Sequence, residues 1–329
     1  MTKIIAEVGS NFETQEHCIR SIELAARAGA DAVKFQLFDD VKMYGFETGD
    51  NLAQYSIRPN WIPSLWQAAQ DSNIEFMCSF FSPEDVKTYD RYVSRHKVAS
   101  SDMLNVPLIQ EMANTNKPII ISTGGHFFEE VKLVDGLLGD IPDITYLYCE
   151  SAYPCNSTNI LKMAALHTLG RPVGLSDHST EVLSVPQFAV YAWNAAFIEK
   201  HVNLVGVKNR PDAAHAISFE DLSLMVSSLR NLKGFIGKDG GLEVPEIFSP
   251  EEADMRFKHN RRFMAISNIS KGDKLVYGHN FGLFRSKSLE ESSEYLDYTS
   301  LHEIDGQITW RDIPKGEPLS RGFLSEHTS

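Results

Sequence analysis

The sequence lacks paired cysteines and any long apolar run. Its four cysteines, Cys18, Cys78, Cys149 and Cys155, include no C-x-x-C spacing, so we expect reduced thiols rather than a disulfide framework or a zinc cluster. The first apolar run is too short for a secretory signal, and Glu7 interrupts it. No segment approaches the ~18 apolar residues of a membrane span. These absences predict a cytoplasmic protein with no membrane partner.

The chain also lacks a surplus of basic residues. It carries 31 lysines and arginines against 44 aspartates and glutamates, which gives a net charge of −13. Nucleic-acid binding without sequence specificity needs a basic surface, so nucleic acid is not an expected partner. An anionic substrate is still compatible with this composition, because a few local lysines can line a pocket of an acidic protein.

Short apolar segments recur along the first 235 of the 329 residues, and amphipathic helix-like stretches separate most of them. This alternation predicts a (β/α)8 TIM barrel over residues 1–235. A doubly wound open sheet is the alternative, but no G-x-G-x-x-G motif follows the first strand. The predicted strands are Ile4–Val8, Ala32–Leu37, Ile74–Ser79, Lys97–Ser100, Pro118–Ser122, Thr145–Cys149, Pro172–Leu175 and Ala195–Glu199.

The composition changes after the last predicted barrel helix. Residues 236–261 are polar and contain glycine and proline, as in a linker. Residues 262–329 then hold two β-rich pieces, each with a lysine-glycine-acid turn, at Lys271-Gly272-Asp273 and Lys315-Gly316-Glu317. We therefore predict a small β-rich second domain at the carboxyl end.

Polar residues follow nearly every predicted barrel strand, which is where TIM barrels build their active sites. Lysines, serine hydroxyls and the Gly124-Gly125 pair together suit a phosphate and a carboxylate. Taken singly, each of these side chains could equally be an ordinary solvated residue. The strand-end candidates are Glu7, Lys34, Gln36, Ser79, Lys97, Ser100, Asp102, Ser122, Ser151, Tyr153, Ser176, Asp177, His178, Glu199 and His201.

Two histidines end neighbouring strands seven and eight. His178 and His201, with Glu7 on the adjoining first strand, could hold a divalent transition metal, although each could also be structural. Mixed nitrogen and oxygen ligands favour manganese or a similar ion over a closed zinc site. Asp177 and Glu199 flank the histidines and could accept hydrogen bonds from them or form barrel salt bridges.

Several segments, in this order and spacing, resemble the sialic acid synthase family and its bacterial relatives that make other nonulosonic acids. The carboxyl-terminal segment is similar to the antifreeze-like (SAF) domain that ends these enzymes. The resemblance covers nearly the whole chain. The segments are IIAEVGSN, ARAGADAVKFQLF, KVASSDMLNVPLIQEMANTNKPIIISTGG, YCESAYPCN, PVGLSDHS, FIEKH and ISKGDKLVYGHNFGLFR.

The resemblance implies a transferase that condenses phosphoenolpyruvate with an N-acetylated amino-sugar aldehyde, through attack of carbon 3 on the aldehyde, and releases phosphate. It implies a divalent metal on His178 and His201, usually Mn²⁺, with Mg²⁺ and Co²⁺ as alternatives. The carboxylates Glu7, Glu199 and Asp177 are the predicted catalytic groups. Phosphoenolpyruvate is expected to bind Lys34, Ser79, Lys97, Ser100, Ser122, Ser151 and Ser176. The sugar is expected to bind Gln36, Asp102, Tyr153, Asp212 and Arg285, with Arg285 reaching the other barrel of a domain-swapped homodimer.

Departures from the family pattern fall on the sugar side. The family's NHNG or NHEG is replaced by Asn11-Phe12-Glu13, its PGPD loop by NRPDAAHAIS, and its RPGxG motif after Arg285 is missing. We therefore expect an acceptor other than N-acetylmannosamine. The alternatives are a related synthase that acts on a phosphorylated sugar, such as a 3-deoxy-octulosonate-phosphate synthase, and a non-catalytic scaffold derived from a synthase.

Overall fold

A computed structural model describes residues 2–139, 141, 143–152, 155, 158–236, 261–285 and 296–324. The chain divides into two compact units, Met1–Gly240 and Gly241–Ser329. The predicted linker lies almost wholly outside the described residues, so the predicted domain boundaries at 235 and 262 stay predictions. No helix in the described ranges is long and apolar enough to cross a membrane. All four cysteines are described, and each is buried and unpaired.

The first unit is a closed barrel of eight parallel strands that pair in chain order, with β1 closing against β8. The predicted barrel is confirmed, and each predicted strand lies within two residues of an observed one. The strands are β1 (Lys3–Glu7), β2 (Ala32–Leu37), β3 (Glu75–Phe80), β4 (His96–Val98), β5 (Ile119–Ser122), β6 (Ile144–Cys149), β7 (Val173–Asp177) and β8 (Phe197–His201).

Helices surround the barrel, and some of them begin at a residue whose side chain caps the first turn. Thr14 accepts a hydrogen bond from the backbone N–H of His17, and Asn105 accepts one from Leu108. The helices are α1 (Gln15–Arg27), α2 (Asp40–Tyr44), α3 (Ile62–Asp71), α4 (Pro83–Tyr89), α5 (Val106–Ala113), α6 (Phe128–Leu138), α7 (Met163–His167), α8 (Ser184–Trp193) and α9 (Phe219–Ile236).

No helix is predicted from the sequence for the long connection between β2 and β3, yet α2 and α3 lie there. Asp39 caps α2, and Gly45, with a φ of 80°, ends it after five residues. Proline occupies the first turn of α3, where its missing N–H costs nothing. Two short helices separated by glycine and proline leave too little periodicity for a sequence-based prediction.

The barrel interior has an apolar lower layer beneath a polar upper one. Because side chains on a strand alternate with a period of two, the residue two positions further along faces the same side. On six of the strands, an inward apolar residue is followed two positions later by an inward residue of the upper layer. The apolar residues Ile5, Ala32, Met77, Ile120, Leu147 and Phe197 form one cluster, and the residues two positions later are Glu7, Lys34, Ser79, Ser122, Cys149 and Glu199. The apolar layer therefore supports the polar groups at the carboxyl ends of the strands.

The second unit contains a two-stranded antiparallel sheet, β9 (Arg262–Ala265) and β10 (Phe281–Phe284), and a short helix α10 (Leu301–Ile304). Further isolated bridges join its segments, and Phe263, Phe281 and Ile304 belong to its own apolar core. Gly272 and Gly316 take φ values of 89° and 87° in the two lysine-glycine-acid turns. The unit is β-rich as described, while its assignment as an SAF domain remains a prediction.

Close strand packing generates a prediction at Gly174 of β7. A Cβ atom there would lie 2.6 Å from Cδ2 of Leu147 and 2.6 Å from the backbone oxygen of Phe197, which cannot move without disturbing β8. We expect Gly174→Ala to lower the free energy of unfolding by about 1–3 kcal/mol, as overpacked cores do. Urea unfolding of the whole chain measures the change.

Gly136→Ala is the matched control. Gly136 lies at an exposed position of α6, where an added Cβ meets no described atom within 4 Å. Alanine there should raise the free energy of unfolding by about 0.5–1 kcal/mol through helix propensity. Equal midpoints for Gly174→Ala and the unmodified chain would contradict the packing described here.

Candidate active site

A cavity of about 530 Å³ opens at the carboxyl ends of the barrel strands. Most of the site residues predicted from the sequence converge there. The predicted barrel leads to this expectation, because it brings the carboxyl ends of all its strands together. Those lining the cavity are Glu7, Lys34, Gln36, Lys97, Ser100, Ser122, Ser151, Ser176, His178, Glu199, His201 and Asp212.

Two lysines and two glutamates form a buried cluster of alternating charge in this cavity. Lys34 Nζ lies 2.9 Å from Glu7 Oε2 and 3.3 Å from Glu199 Oε2. Lys97 Nζ lies 3.8 Å from Glu199 Oε1 and donates a hydrogen bond of 2.7 Å to Ser122 Oγ. None of the four charged residues is more than 4% exposed. Each charge is therefore balanced by an opposite charge within the protein rather than by bulk water.

The cluster shifts the pKa values of its members in different directions. Burial raises the pKa of Glu7, against the opposing effect of Lys34. Burial also acts to raise the pKa of Glu199, but Lys34 and Lys97 outweigh it and bring that pKa to about 2. Glu199 is thus firmly ionised, while Glu7 takes up a proton more readily. Two carboxyl groups with pKa values pushed apart are typical of acid–base sites.

The two lysines also differ. Burial lowers the pKa of Lys97 to about 8, because the carboxylates of Glu199 and Glu7 only partly offset the loss of water. Burial acts the same way on Lys34, but Glu199 and Glu7 outweigh it and hold its pKa above the usual value. Lys34 therefore stays charged throughout the neutral range, whereas Lys97 can lose its proton in mildly alkaline solution.

Neutral side chains orient the charged ones. Gln36 Nε2 donates to Glu7 Oε1 at 2.8 Å, and Ser176 Oγ donates to Glu199 Oε1 at 2.8 Å. Lys34 Nζ donates to Ser79 Oγ at 3.4 Å. Ser79 thus sits behind Lys34 and does not line the cavity, although the sequence predicted it as a phosphoenolpyruvate contact.

The turn after β5 provides space and donors for an anion. Gly124 N donates to Ser100 Oγ at 3.1 Å. A Cβ at Gly124 would lie 2.2 Å from Ser151 Oγ and 2.9 Å from Cys149 Sγ, so only glycine fits between these side chains. The next residue, Gly125, has a φ of 75°. Serine hydroxyls and a glycine turn beside Lys97 are suited to a phosphate or a carboxylate.

Three histidines, His178, His201 and His215, form a cluster, and the first two line the cavity. The ring centroids of His178 and His201 are 5.5 Å apart, and those of His201 and His215 are 4.5 Å apart. The sequence predicted the first two as metal ligands but not His215. His215 follows the 3₁₀ turn Pro211–Ala214, three residues after Asp212. That spacing, which places both side chains on one side of a turn, is the signal that could have identified it.

The donor set around His201 fits a divalent metal ion. His201, Asp212 and His215 each offer a ligand atom, and these atoms lie within 4.8 Å of one another. His201 is 6% exposed, and its Nδ1 atom has no hydrogen-bond partner among the described residues. Burial lowers the pKa of His178 and of His215 to about 4, so both imidazoles are neutral at pH 7, the form that binds metals.

Asp177, one of the three carboxylates predicted to be catalytic, does not face the cavity. Its Oδ2 lies 2.6 Å from Lys200 Nζ, and both side chains are fully buried. Successive residues at this strand end alternate in direction, so Ser176 and His178 point into the cavity while Asp177 points away. The alternative of a barrel salt bridge describes the position of Asp177, and its catalytic role stays a prediction.

Three further candidates also lie outside the cavity lining or the described chain. Asp102 ends the 3₁₀ helix Ser100–Asp102 and accepts a hydrogen bond of 3.0 Å from Asn105 Nδ2. Arg285 is exposed directly after β10 in the second unit. Tyr153 lies outside the described residues. The sugar-binding roles of all three remain predictions.

Comparison with known proteins gives consistent matches. Residues 21–240 match the model of the NeuB family. An uncharacterised protein of Methanocaldococcus jannaschii is 31% identical over 83% of this chain and 82% of its own length. A pseudaminic acid synthase of Campylobacter jejuni is 29% identical over 97% of this chain and 95% of its own. The crystal structure of an N-acetylneuraminic acid synthetase from Leptospira borgpetersenii in complex with citrate superposes with a TM-score of 0.70 at 26% identity, covering 78% of this chain and 91% of that one.

The low pKa of Lys97 generates a prediction about anion binding. Below a pH of about 8 the ammonium group attracts an anion, and above it the free site must first take up a proton. The charge of sulfate is constant over this range. As the pH increases beyond about 8, the Kd for sulfate should increase, with a slope that approaches about tenfold per pH unit. Isothermal titration calorimetry across this range measures it.

Lys97→Met is the informative variant for this prediction. It should bind sulfate more weakly at neutral pH and lose the change of slope near pH 8, because Lys34 remains charged there. A Kd that does not vary with pH in the unmodified chain, or the same slope in Lys97→Met, would contradict the assignment of this titration to Lys97.

Proposed function

The chain belongs to the NeuB family, and on that premise we propose that it condenses phosphoenolpyruvate with an N-acetylated amino-sugar aldehyde to give a nonulosonic acid and phosphate. It is accordingly a transferase that forms a carbon–carbon bond. The observation that carries the proposal is the buried cluster of Lys34, Lys97, Glu7 and Glu199 beside a group of histidines in one cavity.

The cavity offers two kinds of group for phosphoenolpyruvate. Lys34 and Lys97 supply positive charge for its phosphate and carboxylate. Directed donors come from the turn after β5 and from serine hydroxyls on neighbouring strand ends. These hydroxyls belong to Ser100, Ser122, Ser151 and Ser176. We propose that Ser79 acts indirectly, through its contact with Lys34.

The proposed reaction balances with one water molecule. Carbon 3 of phosphoenolpyruvate forms the new bond to the aldehyde carbon, and the aldehyde oxygen takes a proton to become a hydroxyl. The oxygen of water bonds to carbon 2, the bond from carbon 2 to the phosphate oxygen breaks, and carbon 2 becomes a ketone. Water supplies both protons, one for the hydroxyl and one that leaves with phosphate.

The carboxylates of this chain would stabilise the positive charge that develops at carbon 2. Glu199 is held ionised between two ammonium groups and needs no rearrangement as the charge forms. Glu7 is fixed by Gln36 and Lys34 on the same side of the cavity, where it can exchange a proton with the attacking water. When bound, a divalent metal on His178 and His201, with Mn²⁺ favoured over Mg²⁺ or Co²⁺, would polarise the aldehyde carbonyl.

We propose that the acceptor is not N-acetylmannosamine. In place of the family's polar NHNG segment, Phe12 is buried and packs edge to face against Trp61, with ring centroids 6.2 Å apart. This position therefore offers no polar side chain to a sugar. The connection after β8 is altered as well, which supports a different arrangement of sugar contacts.

Phosphate release from phosphoenolpyruvate tests the reaction. The purified chain is assayed with a panel of 2-acetamido and 2,4-diacetamido aldoses, with Mn²⁺ and with chelator. We expect release that depends on metal and is fastest with a sugar other than N-acetylmannosamine. Fastest turnover with N-acetylmannosamine would disprove the acceptor proposal alone. If the chain does not bind phosphoenolpyruvate and releases no phosphate with any sugar, the result would favour the non-catalytic scaffold.

We further propose a domain-swapped homodimer in which Arg285 of the partner subunit completes the sugar pocket. Arg285→Ala should then raise the KM for the sugar at least about tenfold, as expected when a charge-assisted hydrogen bond is lost, and leave the KM for phosphoenolpyruvate unchanged. Arg261→Ala, at another exposed arginine of the second unit, is the control. Kinetics for Arg285→Ala that match the control, or a monomer in analytical ultracentrifugation, would rule this arrangement out.

A further inference from the structure

We propose that the connection after β8 supplies two further metal ligands, Asp212 and His215, which converge with His201. They extend the metal site proposed for His178 and His201 by one imidazole and one carboxylate. The inference deepens the proposed function and rests on it for the role of the metal. It assigns a function to the segment that departs most from the family pattern. It also means that the strand-end histidines are not the whole of the metal site in this chain.

The distances fit a shared ion. Two ligand atoms bound to one ion at metal distances of about 2.0–2.2 Å lie about 3–4.4 Å apart. His215 Nε2 and Asp212 Oδ1 are 3.7 Å apart, too long for a hydrogen bond but within that interval. The rings of His201 and His215 approach at 72° with centroids 4.5 Å apart, so they converge without stacking.

Asp212 is held in the way that metal-binding carboxylates are held. Ser10 donates two hydrogen bonds to the same oxygen, Asp212 Oδ2, from its backbone N–H at 2.7 Å and from its hydroxyl at 2.8 Å. This fixes the carboxylate and leaves Oδ1 directed to the histidines. Gly9 makes room for the arrangement, because a Cβ there would lie 2.3 Å from Asp212 Oδ2, and its φ of 54° also favours glycine.

Burial of the two imidazoles favours binding of a cation. His215 is 1% exposed and His201 is 6% exposed, yet Nδ1 of His201 makes no hydrogen bond within the part of the chain that the structure describes. A buried polar atom without a partner is costly unless a ligand satisfies it. Imidazole nitrogens with one carboxylate oxygen and no thiolate are typical of Mn²⁺, Fe²⁺ or Co²⁺ rather than Mg²⁺, which prefers oxygen ligands.

Metal binding to the chelator-stripped protein tests this proposal without substrate. Calorimetry with Co²⁺ compares the unmodified chain with His215→Gln and Asp212→Asn. Each substitution should raise the Kd for Co²⁺ by more than about 100-fold, the upper limit for residues that only support a ligand. His126→Gln is the matched control, since His126 lines the same cavity but lies outside the ligand set, and it should leave the Kd unchanged.

X-ray absorption at the cobalt edge counts the bound imidazoles directly. We expect His215→Gln to lose one imidazole relative to the unmodified chain. An unchanged count would overturn the proposal even if affinity falls, because His215 would then act only by positioning. A count of one in the unmodified protein would overturn it without any variant. Since neither measurement uses phosphoenolpyruvate or sugar, a failed turnover assay would leave the ligand assignment standing, and the reverse also holds.

Discussion

The buried pairing of two ammonium groups with two carboxylates is the constraint on which the rest of the site depends. An unpaired charge in this position would cost several kcal/mol, so each member is tolerated only while its partners are in place. Closure of the barrel provides the partners, because Glu7 pairs in register with Lys34 on one side and with His201 on the other. Closing β1 against β8 is therefore a condition for the chemistry as well as for the fold.

The layered interior explains how much of this the sequence could show. Apolar runs separated by helices predict a barrel, and a period of two predicts that the residue two positions beyond Ile5 or Phe197 lies above it. Glu7 and Glu199 follow from that rule. The same rule, applied to Ser176, Asp177 and His178, would have directed Asp177 outward. The partners of each charge come from distant strands, and only the closed structure brings them together.

The connection after β8 shows where prediction from sequence ends. It is a 3₁₀ turn with no apolar periodicity, and its position relative to the strands is set by contacts such as that of Ser10 with Asp212. Those residues are about 200 positions apart, so no local pattern reveals the contact. Comparison with the family pattern shows that this segment differs, but it does not show which side chains the segment brings together. The structure shows what this segment places beside His178 and His201, a third histidine and a fixed carboxylate.

The net charge of the cavity connects binding of a cation at the histidines with binding of an anion at the lysines. Among the lining residues that the structure describes, three carboxylates (Glu7, Glu199 and Asp212) face two ammonium groups (Lys34 and Lys97), which leaves one net negative charge when the histidines are neutral. A multiply charged anion such as phosphoenolpyruvate would enter this cavity against that charge. A divalent cation at the histidines reverses the sign, so it favours the anion, and by linkage the anion favours the cation equally. The proposed metal site and the proposed anion site would therefore be thermodynamically coupled.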